Sequence, residues 1–303
     1  MHSNYAWSHK LPNKFLGYFF NHIRDEFNAY HASFDDLENS DQWIAQYAYG
    51  LDPELLGLSH VFKRTPYANP DSYREQLEAA VSRGWVQRVE DGGYGITDKG
   101  RGYVAGLFAL SNQGYDQIET LPVETLETAI ALLEKVDAHI GTLSDPPEKP
   151  AWKLAHIFGE GDTSVLYRLR RRAIFLLAYR DDAHIAAWSG HEVNGYVFET
   201  FSKVWEGDAS NAAQLAEQLD YRNYDEAKYQ SALDELVERG WLAESDGAYA
   251  VTDEGRRLRE AIEAQTNAYY DLALGGLSAD ELAELEAIFT ALTEKHQPEE
   301  AGA

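Results

Sequence analysis

Five arginines and no acid lie between Thr163 and Arg180, in "TSVLYRLRRRAIFLLAYR", within a chain of net charge −25. A guanidinium binds phosphate through paired hydrogen bonds, so such a run is a candidate phosphate grip. Helical spacing places Arg168, Arg171 and Arg172 on one side and leaves Leu166, Leu169, Ile174, Phe175 and Leu177 for a core. Equally, these arginines can balance carboxylates of the chain's own acidic helices. Two further segments carry base- and phosphate-contacting residue types. One holds Lys63, Arg64, Tyr67, Ser72 and Arg74; the other holds Arg222, Asn223, Tyr224 and Lys228. Arg, Lys and Asn are suited to base edges and backbone phosphates, but the same residues serve as helix caps. Asn69 before Pro70 has that second signature: an N-cap followed by proline at the first helical position.

A third cluster, His184, Trp188, His191 and Glu192, has two histidines seven residues apart. Metal ligation and plain packing both fit, and Ser189-Gly190 is expected to interrupt the helix between them. No phosphate-cradling glycine loop, Ser–His–Asp order or paired catalytic carboxylates stand out, so no enzyme activity and no cofactor are expected.

The elements that must position these groups follow from composition and pattern. At 303 residues and 44% hydrophobic, the chain can build two ordinary domains. It has no cysteine, which excludes disulfides, thiolate zinc sites and cysteine nucleophiles. No apolar run reaches membrane-spanning length and no secretory signal is apparent, so a cytoplasmic location and no membrane partner are expected. The acidity weighs against nucleic acid unless one face is locally positive.

The chain says one sentence twice. "RGWVQRVEDGGYGITDKGRG" begins at Arg83 and "RGWLAESDGAYAVTDEGRR" begins at Arg239. The register extends from Tyr73/Tyr229 to Ala131/Ala287 with slips only at turns, which predicts an internal duplication. Each copy reads as a helix ending in Arg-Gly, a short hairpin, and a new helix capped at Thr-Asp. A final amphipathic helix follows, the second opening at Ser278 with a capping box. Upstream of the second copy, "EVNGYVFETFSKVWEG", "SNAAQLAEQL" capped at Ser210, and "YDEAKYQSALDELVERG" predict helix, helix, turn, helix. The hairpin tips, Glu90-Asp91-Gly92-Gly93 and Ser245-Asp246-Gly247, are acidic and poorly suited to phosphate.

The segment Glu192–His296 resembles the MarR-type winged helix in "NAAQLAEQL", "LVERGWL", "VTDEGRRL" and "LSADELAELEAIFTAL". Asp52–Val136 matches less cleanly, with its second helix blurred. The resemblance implies that the helix after the turn reads a major groove, that the last two helices belong to a dimerisation region, and that a small aromatic effector binds between the two. The expected fold is mainly α with β-hairpin wings: two tandem winged-helix modules, 1–145 and 146–303, joined at "SDPPEKP". The expected function is a DNA-binding transcriptional regulator working as an intrachain pseudo-dimer or a dimer, with double-stranded DNA as partner. The alternative is an acidic winged-helix module that engages a basic protein. The aromatic-rich N-terminal stretch through Phe34 fits a core or interface helix, or the wall of a small-molecule pocket.

Overall fold

The computed structural model of the protein describes residues 5–89, 92–158 and 163–296. Among them are thirteen α-helices and two antiparallel hairpins, so the fold is mainly α with small β wings. The first half runs α1 (Trp7–Ala32), α2 (Asn39–Leu51), α3 (Leu58–Arg64), α4 (Pro70–Ser82), β1 (Val86–Arg88), β2 (Tyr94–Ile96), α5 (Asp98–Asp116) and α6 (Val123–Thr142). A short connecting helix, α7 (Pro150–Ala155), leads to the second half. There the order is α8 (Val165–Ser189), α9 (Gly195–Glu206), α10 (Ala212–Gln218), a 3-10 turn (Asp220–Arg222), α11 (Glu226–Glu238), β3 (Leu242–Ser245), β4 (Ala248–Val251), α12 (Asp253–Leu274) and α13 (Ala279–Lys295).

The repeated sentence folds the same way both times. Gly84 (φ 78°) and Gly240 (φ 74°) end α4 and α11 in the left-handed region, where glycine carries no Cβ penalty. Their amides donate to Val81 and Val237, and the next tryptophan amides donate to Ala80 and Leu236. Thr97 and Thr252 then cap α5 and α12, each accepting from the glycine amide three residues on. Each threonine hydroxyl also donates back to the glycine carbonyl that ended the preceding helix, at 2.7 and 2.6 Å. Gly100 and Gly255 press so closely on the tryptophan carbonyl that a Cβ would stand 2.3 and 2.2 Å from its oxygen. The hairpin is thus tied between two helix ends. In the second wing Asp246 (φ 53°) and Gly247 (φ 79°) form the two-residue turn that matches strand twist.

Two expectations need adjusting. The cap of α10 is Asn211, whose side chain accepts from the Gln214 amide, and Ser210 instead bonds to the Gln214 side chain. At the first wing tip Gly92 and Gly93 are described, but Glu90 and Asp91 fall outside the described residues. Asn69, Ser278 and the Ser189-Gly190 break of α8 stand as the sequence predicts.

Three cores organise the molecule. One fills the first winged helix around Trp85, Leu77, Ile44 and Tyr103, and one fills the second around Tyr229, Leu233, Phe201 and Trp241. The largest lies between them and draws on α1, α5, α6, α8, α12 and α13. Here the long helices cross between halves: α1 packs on α13, and α8 packs on α6. Each half's first helix thereby covers the other half's last helix. Phe15 and Phe19 meet Phe289 and His296 in one such contact. Tyr270 donates to the Ser8 carbonyl across 262 residues of sequence.

Candidate nucleic-acid interface

In the second half, α10, the 3-10 turn and α11 form a helix-turn-helix. Leu215, Leu219, Ala232, Leu233 and Leu236 are buried between them, and Tyr229 is fully buried with its hydroxyl toward the Leu219 carbonyl. The turn needs one residue in the left-handed region, and Asn223 (φ 57°) supplies it at low cost for a non-glycine. Asp225 caps α11 by accepting from the Lys228 amide. The solvent face of α11 then presents Glu226, Lys228, Ser231, Asp234, Val237 and Glu238. On α4 the exposed charges are Asp71, Arg74 and Glu75, and Arg74 pairs with Asp71.

The two candidate turn segments meet each other. The Asn69 amide donates to the Arg222 carbonyl at 3.0 Å, and its side-chain amide donates to the Asn223 carbonyl at 3.0 Å. Beside them Trp188 donates to the Tyr67 hydroxyl at 3.1 Å. Gly195 sits against the Pro66 backbone, where a Cβ would stand 2.1 Å from the carbonyl oxygen. Burial pushes the Tyr67 phenol up to about 12, so it stays a hydroxyl. Helices α4, α9 and α11 all begin around this clasp, on a crevice of about 730 Å³.

Arg222 makes a forked pair with Glu199, at 2.6 to 3.1 Å, and lies over the rings of Tyr67 and Tyr221. Burial pulls its pKa down, but Glu199 overrides that and holds it above the usual arginine value. Tyr224 packs on Tyr196 and Tyr229, and burial raises it to about 12. Lys228 stands 4.6 Å over the Tyr196 ring. Ser72 accepts from Gln76. Lys63 pairs with Glu148 at 3.4 Å, and Arg64 with Asp181 at 3.3 Å.

The arginine helix, α8, is internal. Arg168 pairs with Glu127 and Arg172 with Glu134, both on α6. Arg171 is 6% exposed and donates to the Ala155 and Phe158 carbonyls at the end of α7. Arg180 pairs with Glu263 on α12. The arginines therefore lace α8 to α6, α7 and α12. The sequence does not announce these partners, because Glu127, Glu134 and Glu263 are ordinary-looking acids on amphipathic helices. Asp182, just ahead of His184, has a role that no local pattern signals: 2% exposed, it accepts from the amides of Ala151 and Trp152 at 2.8 Å and so caps α7. Burial raises its carboxyl to about 6.

The histidine cluster does not assemble. His184 bonds to Thr266 and packs on Phe198, whereas His191 lies near Trp241. No group of three or more His, Cys, Asp or Glu that could hold a metal ion occurs among the described residues. No described helix is long and apolar enough to cross a membrane.

Residues 163–302 match the model of a helix-turn-helix family, which covers α8 through α13 and includes the α10–turn–α11 unit. At the level of fold class this supports a helix-turn-helix domain and, coarsely, a DNA-binding regulator with DNA as partner. No curated protein and no solved structure matches the chain.

Proposed function

We propose that the chain is a transcriptional regulator of MarR-like type: a duplicated winged helix that forms its pseudo-dimer within one chain, binds double-stranded DNA and answers to a small-molecule effector. The observation that carries this reading is the helix-turn-helix of α10 and α11, inside a region that matches a helix-turn-helix family. The matched hydrogen bonds around Thr97 and Thr252 support a duplication of modules near 1–145 and 146–303. The crossing of α1 onto α13 and α8 onto α6 supports an intrachain pairing. The reading assigns no catalytic step to the chain and places it in the cytoplasm. Of the DNA-facing candidates on the second module, Lys228 stands exposed, while Arg222 and Asn223 are engaged in the clasp.

The test is titration of duplex DNA across a salt series. The protein should bind at low salt, with affinity falling as salt rises. Lys228→Glu should weaken binding on all sequences and lower the salt slope by about one. Absence of binding at about 50 mM salt would sink the DNA reading.

One observation favours a second reading. The exposed faces of α4 and α11 and the second wing carry Asp71, Glu75, Glu226, Asp234, Glu238, Glu244 and Asp246 against Arg74 and Lys228. Such faces repel phosphate and suit a basic protein partner. Salt-sensitive binding to a basic protein, with none to DNA, would establish that reading in place of the first.

A further inference from the structure

Helices α4 and α11 hold equivalent places in the two halves, and the clasp joins the chain just where each of them begins. α4 is capped by Asn69 and α11 by Asp225. The Asn69 amide donates to the Arg222 carbonyl at 3.0 Å, three residues ahead of the second cap. A chain covers at most about 3.8 Å per residue, so the two caps stand within about 18 Å of each other. A protein that reads two half-sites holds its recognition helices about 34 Å apart, one turn of DNA, and reads bases with their first residues. The clasped chain reaches little more than half that span.

The clasp is part of a core and not a surface latch. Tyr67 packs against the core of the second winged helix, where Trp188 donates to its hydroxyl and Arg222 lies 5.3 Å from its ring centroid. Gly195 of α9 presses on the Pro66 carbonyl, and the Asn69 side chain adds its own bond to the Asn223 carbonyl. Residues 66–69 of the first half therefore belong to the packing of the second. Parting the two helices means stripping Tyr67 from that core. The joint also lacks the reciprocity of a two-fold contact, in which residue i meets j and j meets i. The repeat register makes Asp225 equivalent to Asn69 and Arg222 equivalent to Pro66. Among the described residues, no bond returns from the Asp225 amide to the Pro66 carbonyl. The helices also open on different chemistry, Pro70-Asp71-Ser72 in one and Glu226-Ala227-Lys228 in the other.

We propose that α4 and α11 act as a single reading head: the chain takes one contiguous run of duplex DNA without an inverted repeat, where two separate heads would take paired half-sites. Caps within about 18 Å span about five base pairs at 3.4 Å each, so the run is short. The inference rests on the regulator reading and adds the form of the site to it.

The experiment selects duplexes from a random pool with the full chain and maps the enriched site by hydroxyl-radical footprinting. One protected window, no inverted repeat and one chain per site are expected. A duplex of about 12 base pairs is too short for two half-sites about 10 base pairs apart, centre to centre, yet should bind within threefold of a longer one. Two variants address the clasp itself. Asn69→Ser keeps a cap oxygen for the Asp71 amide and loses the bond to the Asn223 carbonyl. Gly195→Ala pushes a methyl into the Pro66 carbonyl from outside both recognition helices. Each should weaken binding to the short duplex at least fivefold, with thermal unfolding showing that the fold is kept. Should Gly195→Ala unfold, Asn69→Ser carries the comparison. Two protected windows a helical turn apart under one chain, an enriched inverted repeat, or unchanged affinity in the variants would overturn the single head. Tighter binding by the variants would overturn it as well, by making the clasp a brake. In each of those cases the regulator reading stands. No binding to any duplex, by wild type or variants, removes that reading and this inference together.

Discussion

The two halves spell the same wing and then use its arginine differently. Arg83 and Arg239 both precede the left-handed glycine that ends a helix. Arg83 reaches back to α2 and makes a forked pair with Asp41, at 2.8 and 2.9 Å, and Asp41 is fully buried. Arg239 pairs with Glu235 on its own helix and donates to the carbonyls of His191 and Glu192. In the first half the helix-end cation pairs with a buried carboxylate; in the second it ties to the entry of α9. The backbone geometry is the same in the two wings while the side-chain chemistry differs. What the motif fixes is a chain path, and the partners come from whichever helix lies across from it.

That contrast can be broken most sharply at the arginines. Arg83→Ala leaves the Asp41 carboxylate buried without its cation and should cost about 3–5 kcal/mol of unfolding free energy. Arg239→Ala should cost no more than about 1 kcal/mol, since Glu235, unlike Asp41, is only half-buried and keeps its water when the cation is removed. Urea unfolding of both variants checks this, and equal losses would erase the distinction. Next in size come the positions where the halves should behave alike. Gly100→Ala and Gly255→Ala each drive a methyl against a tryptophan carbonyl and should destabilise by about 1–3 kcal/mol. A loss at one site only would show that the wings are held differently. At the clasp, Asn69→Ala removes one inter-half hydrogen bond and a helix cap together, for about 1–2 kcal/mol. It should also raise amide exchange at residues 222–223 without changing exchange in α12.

The smallest effect concerns pH. Burial holds His184 and His9 down to about 4 from the usual 6.5. Both are neutral when folded, so their contribution to stability is present above pH 6.5 and lost as pH falls toward 4. Asp182, raised by burial to about 6, acts oppositely: the folded state gains as pH falls through 6. With His31 and His296 also lowered by burial and Asp181 also raised by it, four histidines stand against two aspartates and leave a net loss in acid. Thermal melts from pH 7 to 4 should show that fall, and His184→Gln should make it shallower. An unchanged slope in the variant would contradict a buried, neutral His184.

Much of the path was legible in the sequence because its causes are local. Helix ends at Gly84 and Gly240, caps at Thr97, Asn69 and Ser278, and the Asp246-Gly247 turn each follow from a backbone requirement that few residue types meet. The candidate DNA contacts were legible only as residue types. Arg168 and Arg172 read as a phosphate grip until α6 is laid alongside with Glu127 and Glu134. Arg222 reads as a base or phosphate contact until Glu199 is seen across the turn.

The sequence by itself determined where the chain turns, which faces are apolar, and that the wing is written twice. These depend on φ and ψ preferences and on periodicity, which act over a few residues. Only the tertiary structure decided that α1 covers α13 and α8 covers α6, that the two turn segments clasp at Asn69, and which cations are already paired. Those outcomes turn on distances between groups far apart in sequence, from 23 residues at Arg222 and Glu199 to 262 at Tyr270 and Ser8, and no local preference encodes them.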